Sequence, residues 1–454
     1  MNKGTNKGVA RNVDMINGPI FRSLILFAVP VMISSVFQML YNTMDVAIVG
    51  HVLGEESLSA IGSCSTIYEV LVGFAFGTGR GLTIITARCY GEGNIEKMKK
   101  SVAGALVVGG GTSILLTAAG RIFLRPLMRL LNTPEEIFEE AYSYVSLIIL
   151  FIIVMFAYNL FSGLLQAMGN SFMPLVFLII SSLTNIALDF LFIAKIGMGV
   201  HGAALATVIA QGLSAILCLI FIIKNEPILI PKKEHFNISG KMCMEIATQG
   251  YAMAFMNSIV SVGSVVLQSG INSLGSMIIA GHTAARKIMP FYNLPFSSVG
   301  MAMTTFCSQN RGADKGERII KAYKSVIKYC AVMACIIGVF AFFSSEYLVR
   351  TITGSDNPTI IHNATTYLRV EGPSTFFLGL IFSLRNGLQG LGERRLPIVS
   401  SIIELTGKIL FVLFLVKPLG YTAVIFCEPV IWVAMSMQLL FALKKNVYLK
   451  QFRG

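Results

Sequence analysis

The chain has 454 residues, of which 54% are hydrophobic and only 13% are charged. Its mean hydropathy is +0.72. A soluble domain cannot bury that much apolar surface, so the composition excludes a soluble enzyme, a secreted domain and a disordered scaffold. A lipid bilayer can accept these side chains. Twelve spans of about 20 residues would use about 240 residues and leave only short loops.

In chain order, the apolar runs predict an all-α polytopic membrane protein with twelve transmembrane helices. The predicted segments cover residues 22–50, 58–82, 101–120, 141–167, 172–195, 202–224, 245–270, 276–307, 323–345, 366–390, 396–416 and 420–443. Pro30 interrupts the first segment, and Pro290 and Pro295 interrupt the eighth. Proline removes a backbone hydrogen bond, so we expect helix bends there, with Pro30 as a functional bend.

The formal net charge of +13 would favour nucleic acid as a partner in a soluble protein. Here most of the 36 lysines and arginines fall in the termini and in the loops that would share one side of the membrane with them. Because basic loops stay in the cytoplasm, we predict a multi-pass protein of the cell (inner) membrane with both termini cytoplasmic. No basic soluble module supports nucleic-acid binding, and no removable signal peptide is expected.

Two pairs of similar segments indicate an internal repeat. GLLQAMGNSFMP at residues 163–174 matches NGLQGLGERRLP at residues 386–397, at an offset of 223. GEGNIEK at residues 91–97 matches GADKGER at residues 312–318, at an offset of 221. An even number of spans in each half makes the repeats parallel. The predicted division is an N-lobe (residues 1–224, helices 1–6), a cytoplasmic linker (225–244) and a C-lobe (245–454, helices 7–12).

Two acidic residues of the N-terminal half share one depth in the predicted membrane. Asp45 and Asp189 both lie roughly 8–9 Å inside the outer boundary, counted at 1.5 Å per helical residue. Tyr41 and Asn185 each lie one turn earlier on the same helix face, and Thr207 reaches the same level from the sixth span. Paired carboxylates with Asn and Thr oxygens form a site for H⁺ or Na⁺. Two separate polar contacts between helices remain the alternative.

The C-terminal half has a less regular set of intramembrane charges. Glu404 and Lys408 are spaced i,i+4, which favours an internal ion pair. The candidate substrate path consists of Glu371, Arg385, Glu404 and Lys408, with Glu428, Arg286 and Lys287 as further lining residues, and Glu371 is expected near the solvated outer mouth. No metal-ligand cluster, catalytic triad or ATP-binding motif is present, so no enzyme and no cofactor are expected. Active transport must then use an ion gradient.

Several motifs resemble the multidrug and toxic compound extrusion (MATE) transporters. The matching stretches are residues 30–54, 185–193, 280–288 and 308–318, and the resemblance covers nearly the whole chain. It implies two six-helix lobes around a central cavity with alternating access. It also implies export of organic cations or related amphipathic compounds in exchange for H⁺ or Na⁺. The expected partners are a small-molecule substrate and membrane lipid, with a monomeric protein.

Within that family, the sequence resembles the DinF-like branch most. The resemblance assigns the N-lobe cation site to Asp45, Asp189, Asn185 and Thr207, with Tyr41 beside it, and a weaker match adds Tyr144 and Asn159. The NorM-like branch carries an acid in the middle of helix seven. Here that region reads MAFMNSIVSVGSVV (residues 253–266), without an acid, which favours the N-lobe site over a C-lobe one.

Three other functions compete with a drug exporter. A lipid-linked saccharide or lipid flippase of the wider superfamily would have more spans and a more cationic cavity. A membrane-embedded enzyme would need converging catalytic groups. A channel would need rings of polar groups. The predicted twelve spans and the scattered histidines favour the exporter, and the flippase is the main alternative.

Overall fold

A computed structural model describes residues 12–131, 133–354 and 356–452, except for the side chain of Thr66. The described chain is helical and contains no β-strand. Its α-helices are α1 (Ile20–Leu53), α2 (Glu55–Gly81), α3 (Ile84–Gly91), α4 (Ile95–Leu130), α5 (Glu135–Leu150), α6 (Ile152–Ala167), α7 (Phe172–Asp189), α8 (Gly199–Asn225), α9 (Gly240–Asn272), α10 (Ser276–Gly312), α11 (Gly316–Thr353), α12 (Pro358–Gly390), α13 (Arg395–Leu410), α14 (Val416–Leu419), α15 (Tyr421–Lys445) and α16 (Val447–Lys450).

These helices account for the twelve predicted spans. Nine helical stretches of the described chain are long and apolar enough to cross a membrane alone, and α5 with α6, bent by 47°, makes a tenth. The remaining two are α10, with 37 residues, and α12, with 33. Both are long enough to span a bilayer, and both carry charged residues within the span, Arg286 and Lys287 on α10 and Glu371 and Arg385 on α12. The polytopic all-α prediction is confirmed.

Local chemistry explains where several helices begin and end. Asn94 caps α4, its side-chain oxygen accepting from the Lys97 N–H at 2.9 Å. Asn357 caps α12 in the same way through the Thr359 N–H, directly before Pro358. These caps satisfy N–H groups that have no partner within the helix. Gly354 ends α11 with a φ of 58°, a conformation that glycine adopts readily.

The chain divides into an N-terminal unit that ends at Gly250 and a C-terminal unit that begins at Tyr251. The predicted linker, residues 225–244, is ordered into two 3₁₀ turns, Pro227–Leu229 and Lys233–Phe236. Buried His235 fixes the second turn to α4: its Nδ1 accepts from the Lys232 N–H at 2.8 Å, and its Nε2 lies 2.9 Å from Glu96. The linker therefore packs against the N-terminal unit.

One helix in each unit changes to a π-helical turn near its end. In the N-terminal unit, Phe190–Lys195 continues α7 directly after Asp189. In the C-terminal unit, Phe411–Leu415 continues α13 shortly after Lys408. A π turn adds a residue to the helical turn and is frequent at functional sites. The apolar pattern of the sequence predicts neither turn.

The outer surfaces of the helices suit a lipid environment. On α4, Ile114 and Leu115 are each 67% exposed, and on α11 Phe343 is 78% exposed. Large apolar side chains at such exposure would be unfavourable in water. Within the bilayer they contact lipid tails, which supports a multi-pass membrane protein.

Candidate functional site

Three helices of the N-terminal unit bring the predicted cation-coupling residues together. Helix α1 supplies Tyr41 and Asp45, α7 supplies Asn185 and Asp189, and α8 supplies Thr207. Helices α1 and α8 both pack against α7. All five side chains are buried, and Asn185 and Asp189 have no exposed surface. The five residues are therefore buried on helices of which α1 and α8 both pack against α7, and their shared role in cation coupling stays a prediction.

The carboxyl groups of Asp45 and Asp189 are close enough to interact electrostatically. Among the described residues, no donor reaches either oxygen of Asp189 or Oδ1 of Asp45. The Asn185 amide is likewise without a partner within this part of the chain. The Tyr41 hydroxyl is near Thr207 Oγ1, but the two do not meet hydrogen-bond geometry. The site thus collects polar atoms without satisfying them.

This arrangement has a direct chemical consequence. Two adjacent carboxylates cannot both remain charged in a buried site at low cost, because like charges repel and water is excluded. A shared proton, or a cation between them, removes that cost. Asn185 Oδ1 and Thr207 Oγ1 add neutral oxygens, so the donor set fits H⁺ or Na⁺. The described residues contain no group of three or more His, Cys, Asp or Glu side chains that could hold a metal ion.

Three tyrosines surround the aspartates. Tyr41, Tyr68 and Tyr144 are all close enough to Asp45 to interact with it electrostatically. The rings of Tyr68 and Tyr144 are 6.2 Å apart and inclined by 39°. Sequence reasoning missed Tyr68 on α2. The clue was available, since a phenol hydroxyl within an apolar span needs a polar partner.

Two other predicted residues are placed differently. Asn159 donates from Nδ2 to the Met155 carbonyl at 2.8 Å, within α6, and its Cβ lies against Gly79 of α2. These contacts of Asn159 with other described residues therefore lie within α6 and between α6 and α2, and none of them is to the aspartate pair. Pro30 lies inside α1, which continues through it, and Ser34 Oγ donates to the Pro30 carbonyl at 2.9 Å.

The C-terminal unit contains a chain of alternating charges. Lys408 Nζ lies 3.1 Å from Glu404 Oε1 and 3.3 Å from Glu428 Oε1. Glu404 Oε2 is 3.8 Å from Arg385 Nη2, and Glu428 Oε1 is 3.6 Å from Arg286 Nη1. The Glu404–Lys408 pair expected from the spacing is present, and Lys408 is only 2% exposed. The cluster links α10, α12, α13 and α15.

Hydrogen bonds complete this cluster at both ends. Tyr367 OH donates to Glu428 Oε2 at 3.1 Å, and Arg385 Nε donates to Ser400 Oγ at 3.0 Å. Sequence reasoning missed Tyr367, although it precedes Glu371 by four residues, just as Tyr41 precedes Asp45.

The sequence predicts Glu371 near the solvated outer mouth, but the structure buries this residue. Its side chain has no exposed surface, and no donor among the described residues reaches either of its oxygens. The expectation failed because α12 buries this face against neighbouring helices. Lys287 is exposed.

Comparisons with known proteins agree with this architecture. The MatE family model matches the chain twice, at residues 30–191 and 252–414, once in each repeat. A probable multidrug resistance protein of Bacillus subtilis (strain 168), YpnP, is 27% identical over 86% of this chain and 87% of its own length. The multidrug export protein MepA of Staphylococcus aureus (strain N315) is 24% identical over 90% of both chains.

A solved structure of a MATE protein in its bent conformation has the same fold. It superposes with a TM-score of 0.90, at 21% identity, over 98% of this chain and 99% of its own. The two family matches together cover well over half of the sequence. The chain belongs to the MatE family and is a membrane transporter, not an enzyme.

Proposed function

We propose that this protein is a secondary active multidrug exporter. It exchanges organic cations or related amphipathic compounds for H⁺ or Na⁺ by alternating access. The observation that carries the proposal is the buried Asp45–Asp189 pair, whose described surroundings supply no hydrogen-bond donor. The names of the relatives YpnP and MepA support drug export as the activity.

The aspartate pair would couple the ion gradient to a change in helix packing. A proton or Na⁺ arriving from outside neutralises the repulsion between the two carboxylates, which favours close approach of α1 and α7. Loss of the ion to the cytoplasm restores the repulsion and favours separation. Such a two-state element can bias the equilibrium between inward-open and outward-open forms. Pro30 in α1 offers a place where that helix bends.

Two features of the C-terminal unit favour the proposal that ion coupling takes place at one site, in the N-terminal unit. The stretch at residues 253–266 on α9 has no acid, and most charges of the C-terminal cluster are paired with one another. Assignment to the DinF-like branch rests on this difference. The proposed setting is the cell (inner) membrane with both termini cytoplasmic, as the basic loops indicate. The proposed functional form is a monomer that needs no cofactor.

Efflux of ethidium from reconstituted vesicles tests the coupling. A Na⁺ gradient and an H⁺ gradient are imposed separately on wild-type protein and on Asp189→Asn. We expect one gradient to drive efflux in the wild type, and the variant to fall to the rate of protein-free vesicles. Glu346→Gln is the matched control, because this carboxylate is exposed on α11 and pairs only with Arg350 in the described chain. Its efflux is expected to equal that of the wild type.

Unchanged efflux in Asp189→Asn would refute the coupling site. No efflux of any cationic dye under either gradient would refute drug export. The wider-superfamily flippase would then gain support, and transfer of a lipid-linked saccharide between leaflets is the assay that would establish it.

A further inference from the structure

The internal repeat allows each residue of the N-terminal site to be matched with a position in the C-terminal unit. Gly169 and Gly392, 223 residues apart, both have positive φ, at 90° and 74°. The helices that follow them, α7 and α13, begin at Phe172 and Arg395, which keeps the same offset. Helix α7 then continues without a break to Asp189, and α13 continues to Leu410. The position in α13 that corresponds to Asn185 is therefore Lys408.

The last helices of the two repeats align in the same way. Gly199 and Gly420, 221 residues apart, lie at the starts of α8 and α15 with φ values of 63° and 57°. Counting from these glycines, Thr207 corresponds to Glu428. The two neutral oxygen donors of the N-terminal site thus become a lysine and a glutamate in the C-terminal unit.

Both aspartates correspond to valines. Gly54 and Gly275, with φ values of 91° and 98°, follow α1 and α9 at an offset of 221, which matches Asp45 with Val266. The offset of 223 matches Asp189 with Val412. The C-terminal unit therefore lacks the carboxylate pair but has charged groups at the two other matching positions.

The contacts of Lys408 resemble those of a bound cation. Its ammonium lies 3.1 Å from Glu404 Oε1 and 3.3 Å from Glu428 Oε1, and the side chain is buried. Its aliphatic stem passes close to α9 at Gly263, where a Cβ would be 3.2 Å from Lys408 Cδ. Arg385 lies near Glu404 Oε2 and Tyr367 donates to Glu428 Oε2. Arg286 Nη1 lies 3.6 Å from Glu428 Oε1, slightly farther from it than the Lys408 ammonium.

We propose that the Lys408 ammonium permanently occupies, in the C-terminal unit, the place that the exchangeable H⁺ or Na⁺ takes in the N-terminal unit. A cation that is covalently attached to the chain cannot be released, so this unit does not couple to the gradient. Removing the ammonium leaves Glu404 Oε1 and Glu428 Oε1 facing each other, which creates a site for a free monovalent cation. This inference rests on the proposed function of the aspartate pair.

Equilibrium cation binding to the purified full-length protein tests the inference. The probes are radioactive Na⁺ and, in separate samples, protons taken up after a downward pH step. We expect Asp45→Asn/Asp189→Asn to lose the binding seen in the wild type. Adding Lys408→Asn to this double variant should restore binding to the wild-type level. Adding Lys408→Arg should not restore binding, because arginine retains a tethered positive charge.

A converse substitution covers the case in which the Lys408→Asn protein does not fold. Asn185→Lys places a tethered ammonium at the corresponding position of the N-terminal site, beside Asp45 and Asp189. We expect this variant to be monodisperse by size-exclusion chromatography and to lose cation binding, whereas the control Glu346→Gln, at an exposed carboxylate of α11, retains it.

The outcomes separate the two ideas. If cation binding survives in Asp45→Asn/Asp189→Asn, the proposed coupling site is refuted. If adding Glu371→Gln to that double variant then abolishes the remaining binding, the C-terminal unit binds a free cation in the presence of Lys408, and the inference is overturned as well. Loss of binding in that double variant, with no recovery in a folded Lys408→Asn protein, overturns the inference alone. Cation binding that persists in a folded Asn185→Lys variant overturns it as well.

Discussion

The two units contain buried polar clusters at matching positions, but the groups in these clusters are satisfied to different degrees. In the C-terminal unit, Lys408 is shared between Glu404 and Glu428, and each glutamate has a further cationic neighbour. In the N-terminal unit, Asp45 and Asp189 approach each other without donors from the described residues. The first cluster consists of opposite charges that compensate one another. The second consists of two carboxyl groups whose repulsion, when both are ionised, is relieved only by a bound proton or cation.

The difference between the two clusters concerns how a buried charge is compensated. A buried charge costs free energy unless it is paired, and an internal partner meets that need permanently. A site whose need is met only by an exchangeable ion links its own stability to the presence of that ion. Paired clusters of this kind fix helix packing, whereas unpaired ones respond to binding.

Removing the ammonium of Lys408 should give the largest loss of stability. Lys408→Met leaves Glu404 and Glu428 without their shared cation, so we expect the free energy of unfolding to fall by about 3–5 kcal/mol. Thermal unfolding in detergent measures the effect. Arg350→Met is the control, since its ion pairs with Glu346 and Asp356 are exposed, and it should leave the unfolding temperature unchanged. A stable Lys408→Met protein would show that the C-terminal cluster is not held by this charge.

The opposite sign is expected in the N-terminal unit. Asp45→Asn removes one of two repelling carboxylates and adds a donor for Asp189, so stability without Na⁺ and at alkaline pH should rise by roughly 1–3 kcal/mol. The same thermal assay applies, with Asn159→Ala as a variant of a satisfied polar residue, which should lose stability. A fall in the unfolding temperature of Asp45→Asn would mean that the aspartates are structural contacts rather than a responsive site.

The smallest effect concerns the fit between Lys408 and α9. Gly263→Ala would place a Cβ 3.2 Å from Lys408 Cδ, and because the ammonium is anchored at both glutamates we expect a loss of about 1 kcal/mol. Gly110→Ala on α4 is the matched control, since a Cβ there meets nothing within 4 Å. Equal unfolding temperatures for the two variants would show that the aliphatic chain of Lys408 moves away from the added methyl group without loss of stability.

The sequence could predict whatever depends on position along one helix. Counting residues from the span ends placed Asp45 and Asp189 at one depth, and helical periodicity placed Tyr41 and Asn185 on their faces. The i,i+4 spacing predicted the Glu404–Lys408 pair, which is present. The prediction of the pair succeeds because helix geometry fixes both the rise and the direction of side chains within a segment, and the other two predictions use the same geometry.

Contacts between segments were harder to predict. Nothing local in the sequence identified Tyr68 as a neighbour of Asp45, Glu428 as the second partner of Lys408, or the complete burial of Glu371. Asn159 lies in the span that the resemblance assigned, yet its amide bonds to its own helix. The π turns after Asp189 and Lys408 were not predicted either. An apolar run such as residues 190–195 has the same composition whether its backbone hydrogen bonds are α-helical or π-helical.

The sequence by itself determined that this chain spans a membrane, that it repeats, and which acids lie within its helices. Apolar length, offset and depth are properties of the linear chain and need no partner. Only the tertiary structure decided which buried charges are neutralised by one another and which remain uncompensated. That outcome depends on distances of 3–4 Å between helices that are far apart in sequence, where side-chain geometry determines whether a charge is stabilised or left to bind an ion.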